Sequence, residues 1–231
     1  MKIVYGRDQK IKGSLTGDFD KDYAFLEAVF ERSGDIVKNP FCIVDFCRAA
    51  AIYVDGMTDA DMVEDFVIRP LLKQKWEEKI SGRELLSYIE NHVMETVDWK
   101  EDETFEDILT DILSGNTLLL LEGCKKAIIL STKKYPSRGV GETQQEMVIR
   151  GPKDSFTENM RINTALIRRR IRDPRLKMEH TMTGERSKTD LAIIYMEDLV
   201  RPELLEKIRE KVKNISFDGI FDGGMVEQLL E

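Results

Sequence analysis

The chain has 231 residues, 35 Lys and Arg against 43 Asp and Glu, a net charge of −8 and 42% hydrophobic residues. That length allows one large domain or two small ones, either of which buries enough surface to fold without staples. The acidic balance argues against general nucleic-acid binding, and no run nears the roughly 18 consecutive apolar residues of a membrane span. Cys42, Cys47 and Cys124 are odd in number and lack the paired two-residue spacing of a zinc site, so they read as buried thiols in a reducing compartment.

Residues 1–17 are polar and carry Gly6, Gly13 and Gly17, the composition of a mobile arm. Phe19, Tyr23, Leu26 and Phe30 then recur at helical spacing, with Gly34 as the stop. Residues 41–54 are apolar and β-prone enough for one or two strands, and Asp55-Gly56 turns the chain. Thr58, with Asp61 three residues on, opens a helix toward Leu72; further helices are expected over 81–93 and 104–113. Residues 117–121 and 126–132 read as a hairpin of two buried strands around Glu122-Gly123. The polar run 135–145 is a linker by composition. Beyond it, strands are expected over 177–183 and 188–195 around Gly184-Glu185-Arg186. A helix with Pro202 in its first turn follows, then a strand near 215–220 and a last helix from Met225.

The intermixing argues for two small mixed α/β subdomains, 18–134 and 146–231, joined by the polar linker 135–145. The second holds the most distinctive stretch, 148–172: VIRGPKDSFTENMRINTALIRRRIR. Gly151 and Pro152 break the preceding apolar segment, and Ser155 with Glu158 forms a capping box that starts a helix at Phe156. Phe156, Met160, Asn163, Ile167 and Ile171 share one face at three- and four-residue steps, an apolar stripe with one polar member. Arg168, Arg169, Arg170 and Arg172 crowd the helix end, more cations than the dipole requires. Residues 100° apart cannot form one patch, so they serve at least two surfaces. From 150 to 177 there are nine Lys and Arg against three Asp and Glu, a local +6, so the remainder of the chain sums to −14.

This string resembles the signature of the A subunits of bacterial spore germinant receptors, which carry an Arg-Gly-Pro turn, a Phe-x-Glu, an Asn and an Arg-Arg-Arg in this order and spacing. The matching residues are Arg150, Gly151, Pro152, Phe156, Glu158, Asn163, Arg168, Arg169 and Arg170. Asp35-Ile36-Val37, Tyr53-Val54-Asp55-Gly56-Met57 and Pro70-Leu71 look like shorter landmarks of the same family, as do stretches at 184–189, 195–198 and 227–231. Lys38 and Asn39 stand where many members have an arginine. The resemblance implies the cytosolic N-terminal part of a longer protein of the spore inner membrane. It would work with a transporter-like B subunit, a lipoprotein C subunit and other A subunits that oligomerise into an ion-conducting channel.

No catalytic constellation emerges. His92 and His180 lie in different halves without a cysteine or acid at ligand or nucleophile spacing. Gly-Glu-Arg-Ser-Lys-Thr at 184–189 lacks the glycine that lets a phosphate loop wrap, and Asp98 to Glu103 reads as a solvated charge run. The expectation is a non-enzyme that needs no cofactor, acting in receptor assembly and signal transmission. Asn163 and Arg168, Arg169, Arg170 and Arg172 either satisfy groups inside the fold or meet acids on a neighbouring chain. The alternative function is a two-lobed module that binds a small molecule, nutrient or ion.

Overall fold

The computed structural model describes residues 11–43, 47–73, 82–92, 98–134 and 155–230. They fall into two compact units: Met1–Glu31 with Asp35–Pro174, and Arg32–Gly34 with Arg175–Glu231. The fold is mixed α/β with antiparallel sheets, as the pattern of elements implies. The expected linker, 135–145, lies outside the described residues.

The first unit is built on a five-stranded antiparallel sheet. Strands β1 (Ile36–Ile43), β2 (Cys47–Val54), β3 (Trp99–Asp102), β4 (Thr117–Leu121) and β5 (Ala127–Leu130) stand in the order β1-β2-β4-β5-β3. Residues 41–54, read as one or two strands, supply the end of β1 and all of β2, in register from Ile36 opposite Val54 to Ile43 opposite Cys47. Every residue of β4 and β5 is buried, which is why both read as unbroken apolar runs instead of alternating ones. One face packs Ile52, Leu118, Leu120 and Ile129 against helices α1 (Phe19–Val29) and α5 (Phe105–Leu113). The other packs Leu119, Leu121 and Ile128 against the stretch from α2 (Ala60–Val63) through a π-helical turn (Glu64–Ile68) to α3 (Arg69–Lys73), and against α4 (Gly82–His92).

The helix starts have visible causes. Thr104 Oγ1 accepts from the Asp107 N–H at the head of α5, and Asp18 caps α1 in the same way. Asp59, not Thr58, caps α2; the Thr58 hydroxyl donates instead to the Gly115 carbonyl. Residues 11–17, expected as part of a mobile arm, are held down: Leu15 is buried and its N–H donates to the Glu103 carbonyl. The buried Asp22 carboxylate accepts from the Thr16 and Gly17 N–H groups. The charged run at Trp99–Asp102 is an edge strand whose backbone pairs with β5.

In the second unit, β6 (Leu176–Thr183) and β7 (Thr189–Met196) form a hairpin in register from Leu176 opposite Met196 to Thr183 opposite Thr189. Gly184, at φ +85°, takes the left-handed conformation at its turn. Residues 32–34 run beside β6, the Gly34 N–H donating to the Met178 carbonyl and the Met178 N–H to the Arg32 carbonyl. Helix α7 (Pro202–Lys213) docks through Arg209, which donates to Glu179, and Tyr195 donates to the same carboxylate at 2.5 Å. Burial opposes the ionised form of Glu179, but these bonds outweigh it and hold its carboxyl below the usual range. The expected strand near 215–220 does not form. That segment spends its carbonyls on the hairpin turn, Phe217 accepting from Glu185 N–H and Asp218 from Arg186 and Ser187 N–H. Helix α8 (Gly223–Leu230) follows.

Candidate functional site: the signature helix

The signature helix, α6, spans Met160–Arg170 and belongs to the first unit, although its sequence position had grouped it with the second half. Two contacts place it there: Ala165 lies in the core beside Val54 and Met57, and Arg168 reaches Asp35. The helix starts four residues later than the capping box implied, because Asn159 is the cap and its side-chain oxygen accepts from the Ile162 N–H. Asn163 brackets the approach to that cap. Its Oδ1 accepts from the Thr157 N–H at 2.7 Å and its Nδ2 donates to the Thr157 carbonyl at 2.6 Å, so it satisfies local backbone.

The buried face is Thr164, Ala165, Leu166 and Arg168, not the apolar stripe. Arg168 is 0% exposed and sits on the equally buried Asp35, Nε to Oδ2 at 2.7 Å and Nη2 to Oδ1 at 3.1 Å. Its third nitrogen, Nη1, donates to the Asp173 carbonyl at 2.9 Å. Two turns toward the N-terminus, Arg161 pairs with Asp55, whose carboxylate raises the guanidinium above its ordinary value. Gly56, at φ +75°, lets the helix come close: a Cβ there would stand 3.0 Å from the Arg161 carbonyl oxygen and 3.1 Å from the Ala165 Cβ.

The structure thus brings Asp35, Asp55, Gly56, Arg161, Ala165 and Arg168 together over more than a hundred residues of sequence. Asp35 and Asp55 were inside strings already quoted, but nothing in the spacing pairs an acid at 35 with an arginine at 168. The outward face carries the stripe: Phe156 is 67% exposed and Ile171 40%, with Met160, Asn163 and Ile167 half-buried. Phe156, Leu166, Ile167 and Arg170 line a shallow hollow of about 190 Å³ there. Glu158 is exposed on that side, Arg169 is half-buried, and Arg172 donates to the Ser114 hydroxyl at 3.3 Å. Arg150, Gly151 and Pro152 lie outside the described residues.

Other sequence candidates disperse. His180 is exposed on β6, and His92 ends α4. Cys47 and Cys124 are buried as expected, but Cys42 is exposed, because it points outward from β1 at the sheet edge. Burial pushes the Cys47 thiol up to about 11. Among the described residues no three His, Cys, Asp or Glu side chains converge as a metal site, and no helix is long and apolar enough to cross a membrane.

Residues 24–231 match the family model described as Bacillus/Clostridium GerA spore germination protein. Spore germination protein B1 of Bacillus subtilis is 32% identical over 218 residues, 94% of this chain and 44% of that protein. Spore germination protein GerLA of Bacillus cereus is 29% identical over 186 residues, 80% of this chain and 37% of its own. The chain therefore spans about two-fifths of the length of these relatives. The crystal structure of the N-terminal domain of the A subunit of the Bacillus megaterium spore germinant receptor GerK3 superposes with a TM-score of 0.72. It shares 26% identity, covering 96% of this chain and 81% of that one. The fold, the family match and the relatives agree: the chain belongs to the GerA family of spore germination proteins.

Proposed function

We propose that this chain is the N-terminal domain of a nutrient germinant receptor A subunit, lying on the cytoplasmic side of the spore inner membrane and working in receptor assembly and signal transmission. Its partners on this reading are other A subunits and the B and C subunits of the receptor, within a protein that is membrane-embedded as a whole. The observation that carries the reading is the division of α6. Its inner face is committed to Asp35, Asp55 and Gly56, while its outer face presents Phe156, Ile167 and Ile171 beside Arg170. An apolar strip rimmed by a guanidinium fits an acidic, partly apolar surface on a neighbouring subunit, where Arg can fork onto carboxylate.

Arg170→Glu in the full-length receptor tests this. Arg170 is exposed, so the isolated chain stays folded, while co-purification of the A subunit with its B and C partners drops and nutrient-triggered germination slows. Undiminished co-purification together with normal germination rejects the contact.

A further inference from the structure

Arg168 heads the fully buried side chains in size, and the proposed contact surface makes no use of it. Its guanidinium holds two separate backbone segments at once: the Asp35 carboxylate through Nε and Nη2, and the Asp173 carbonyl through Nη1. Each partner stands at a place where the chain passes between the two units. The backbone returns to the first unit between Gly34 and Asp35, and leaves it between Pro174 and Arg175. The Asp35 carbonyl in turn accepts from the Asp55 N–H at 2.8 Å, tying this anchor into the turn that receives α6. On the far side of the first crossing, residues 32–34 are paired with β6.

The geometry points to Arg168 as a pin: by gripping Asp35 and the Asp173 carbonyl on one guanidinium, it makes the two places where the first unit gives onto a crossing behave as one anchor within that unit. Arginine suits the task because its planar fork spends two nitrogens on a carboxylate and keeps a third for another acceptor, which the single ammonium of lysine cannot do. Burial makes the grip durable, since neither the carboxylate nor the guanidinium can turn to water as an alternative partner. The pin also explains why the charge is kept inside at all. A well-packed apolar pair fills the same space, but it cannot couple two backbone segments by direction.

Hydrogen exchange on the whole chain, read at residues 32–38, 171–173 and 117–130, tests the pin with Asp35→Asn, which keeps the shape of the carboxyl and removes its charge. Residues 32–34 also pair with β6 at Met178, so the discriminating amides are those at 171–173, ahead of that strand and beside the carbonyl that Arg168 holds. Exchange is expected to rise at least about tenfold at 171–173 as well as at 32–38, with 117–130 as protected as in the parent. A rise confined to 32–38, or none, overturns the pin and leaves an ordinary buried ion pair. If Asp35→Asn also opens 117–130, Arg168→Lys decides, because it keeps the positive charge and removes the fork. Faster exchange at both crossings with 117–130 protected upholds the pin, and any other pattern overturns it.

Discussion

Gly56 shows how a single residue sets the distance between the sheet and its signature helix. Its positive φ is strained for any other residue, and a methyl group there meets the Arg161 carbonyl oxygen at 3.0 Å and the Ala165 Cβ at 3.1 Å. Backbone and helix cannot both give way. Gly56→Ala should therefore cost about 1–3 kcal/mol, seen as a lower urea midpoint with unchanged slope; a loss under about 0.5 kcal/mol would show that the close approach is not needed. The sequence marked this position as a turn glycine after Asp55, inside a short family landmark. Its second reason, a helix lying against it from a hundred residues away, leaves no local trace. Arg168 was hidden for a related reason, since four arginines near one helix end look alike until packing buries one of them.

At the scale of the element, α6 was legible as a helix from its periodicity, whereas which face it turns inward was not. The usual inference puts the apolar stripe inward, but here a buried ion pair and the small residues Thr164 and Ala165 take the inner face, leaving Phe156 and Ile171 outside. The start was misplaced too: Ser155 and Glu158 have the capping-box spacing, yet Asn159 does the capping, with Asn163 bracing Thr157 before it. Asn159→Ala is expected to lower stability by about 1 kcal/mol, read as a lower urea midpoint. An unchanged midpoint would remove Asn159 as the cap. Strand β3 escaped because its Lys-Glu-Asp run has no alternation, and only its pairing with β5 makes it a strand. By contrast β4, β5, β6 and β7 were legible to within a residue or two, because buried runs and a glycine turn state their structure locally.

Across the whole molecule, two protected acids make stability fall on the alkaline side. Burial first, then the bond to Glu179, pushes the Tyr195 hydroxyl up from 10.0 to about 12, and burial pushes the Cys47 thiol up from 9.0 to about 11. Both groups hold their protons in the folded chain after the unfolded chain has released them. Their contribution is thus complete below pH 9 and drains away as pH rises from 9 toward 12. Melting temperatures at pH 8, 10 and 11 should fall in that order, and Tyr195→Phe should flatten the upper part of the decline. A midpoint that is level up to pH 11 contradicts the assignment. The α/β class and the family were legible from the sequence, the latter because its signature is a long fixed string. The grouping of α6 with the first unit was not, since it rests on contacts that only the folded chain makes.

The ion pair between Asp35 and Arg168 also sets an order of events during synthesis. Its partners are 133 residues apart, so a ribosome adding about 5–20 residues per second makes the arginine on the order of ten seconds after the aspartate. Through that interval the β1–β2 hairpin can close, and then β4 and β5 can join it, while Asp35 still has water where a guanidinium belongs. The nascent sheet thus waits for α6, the last element of its own unit to be made, to lock it.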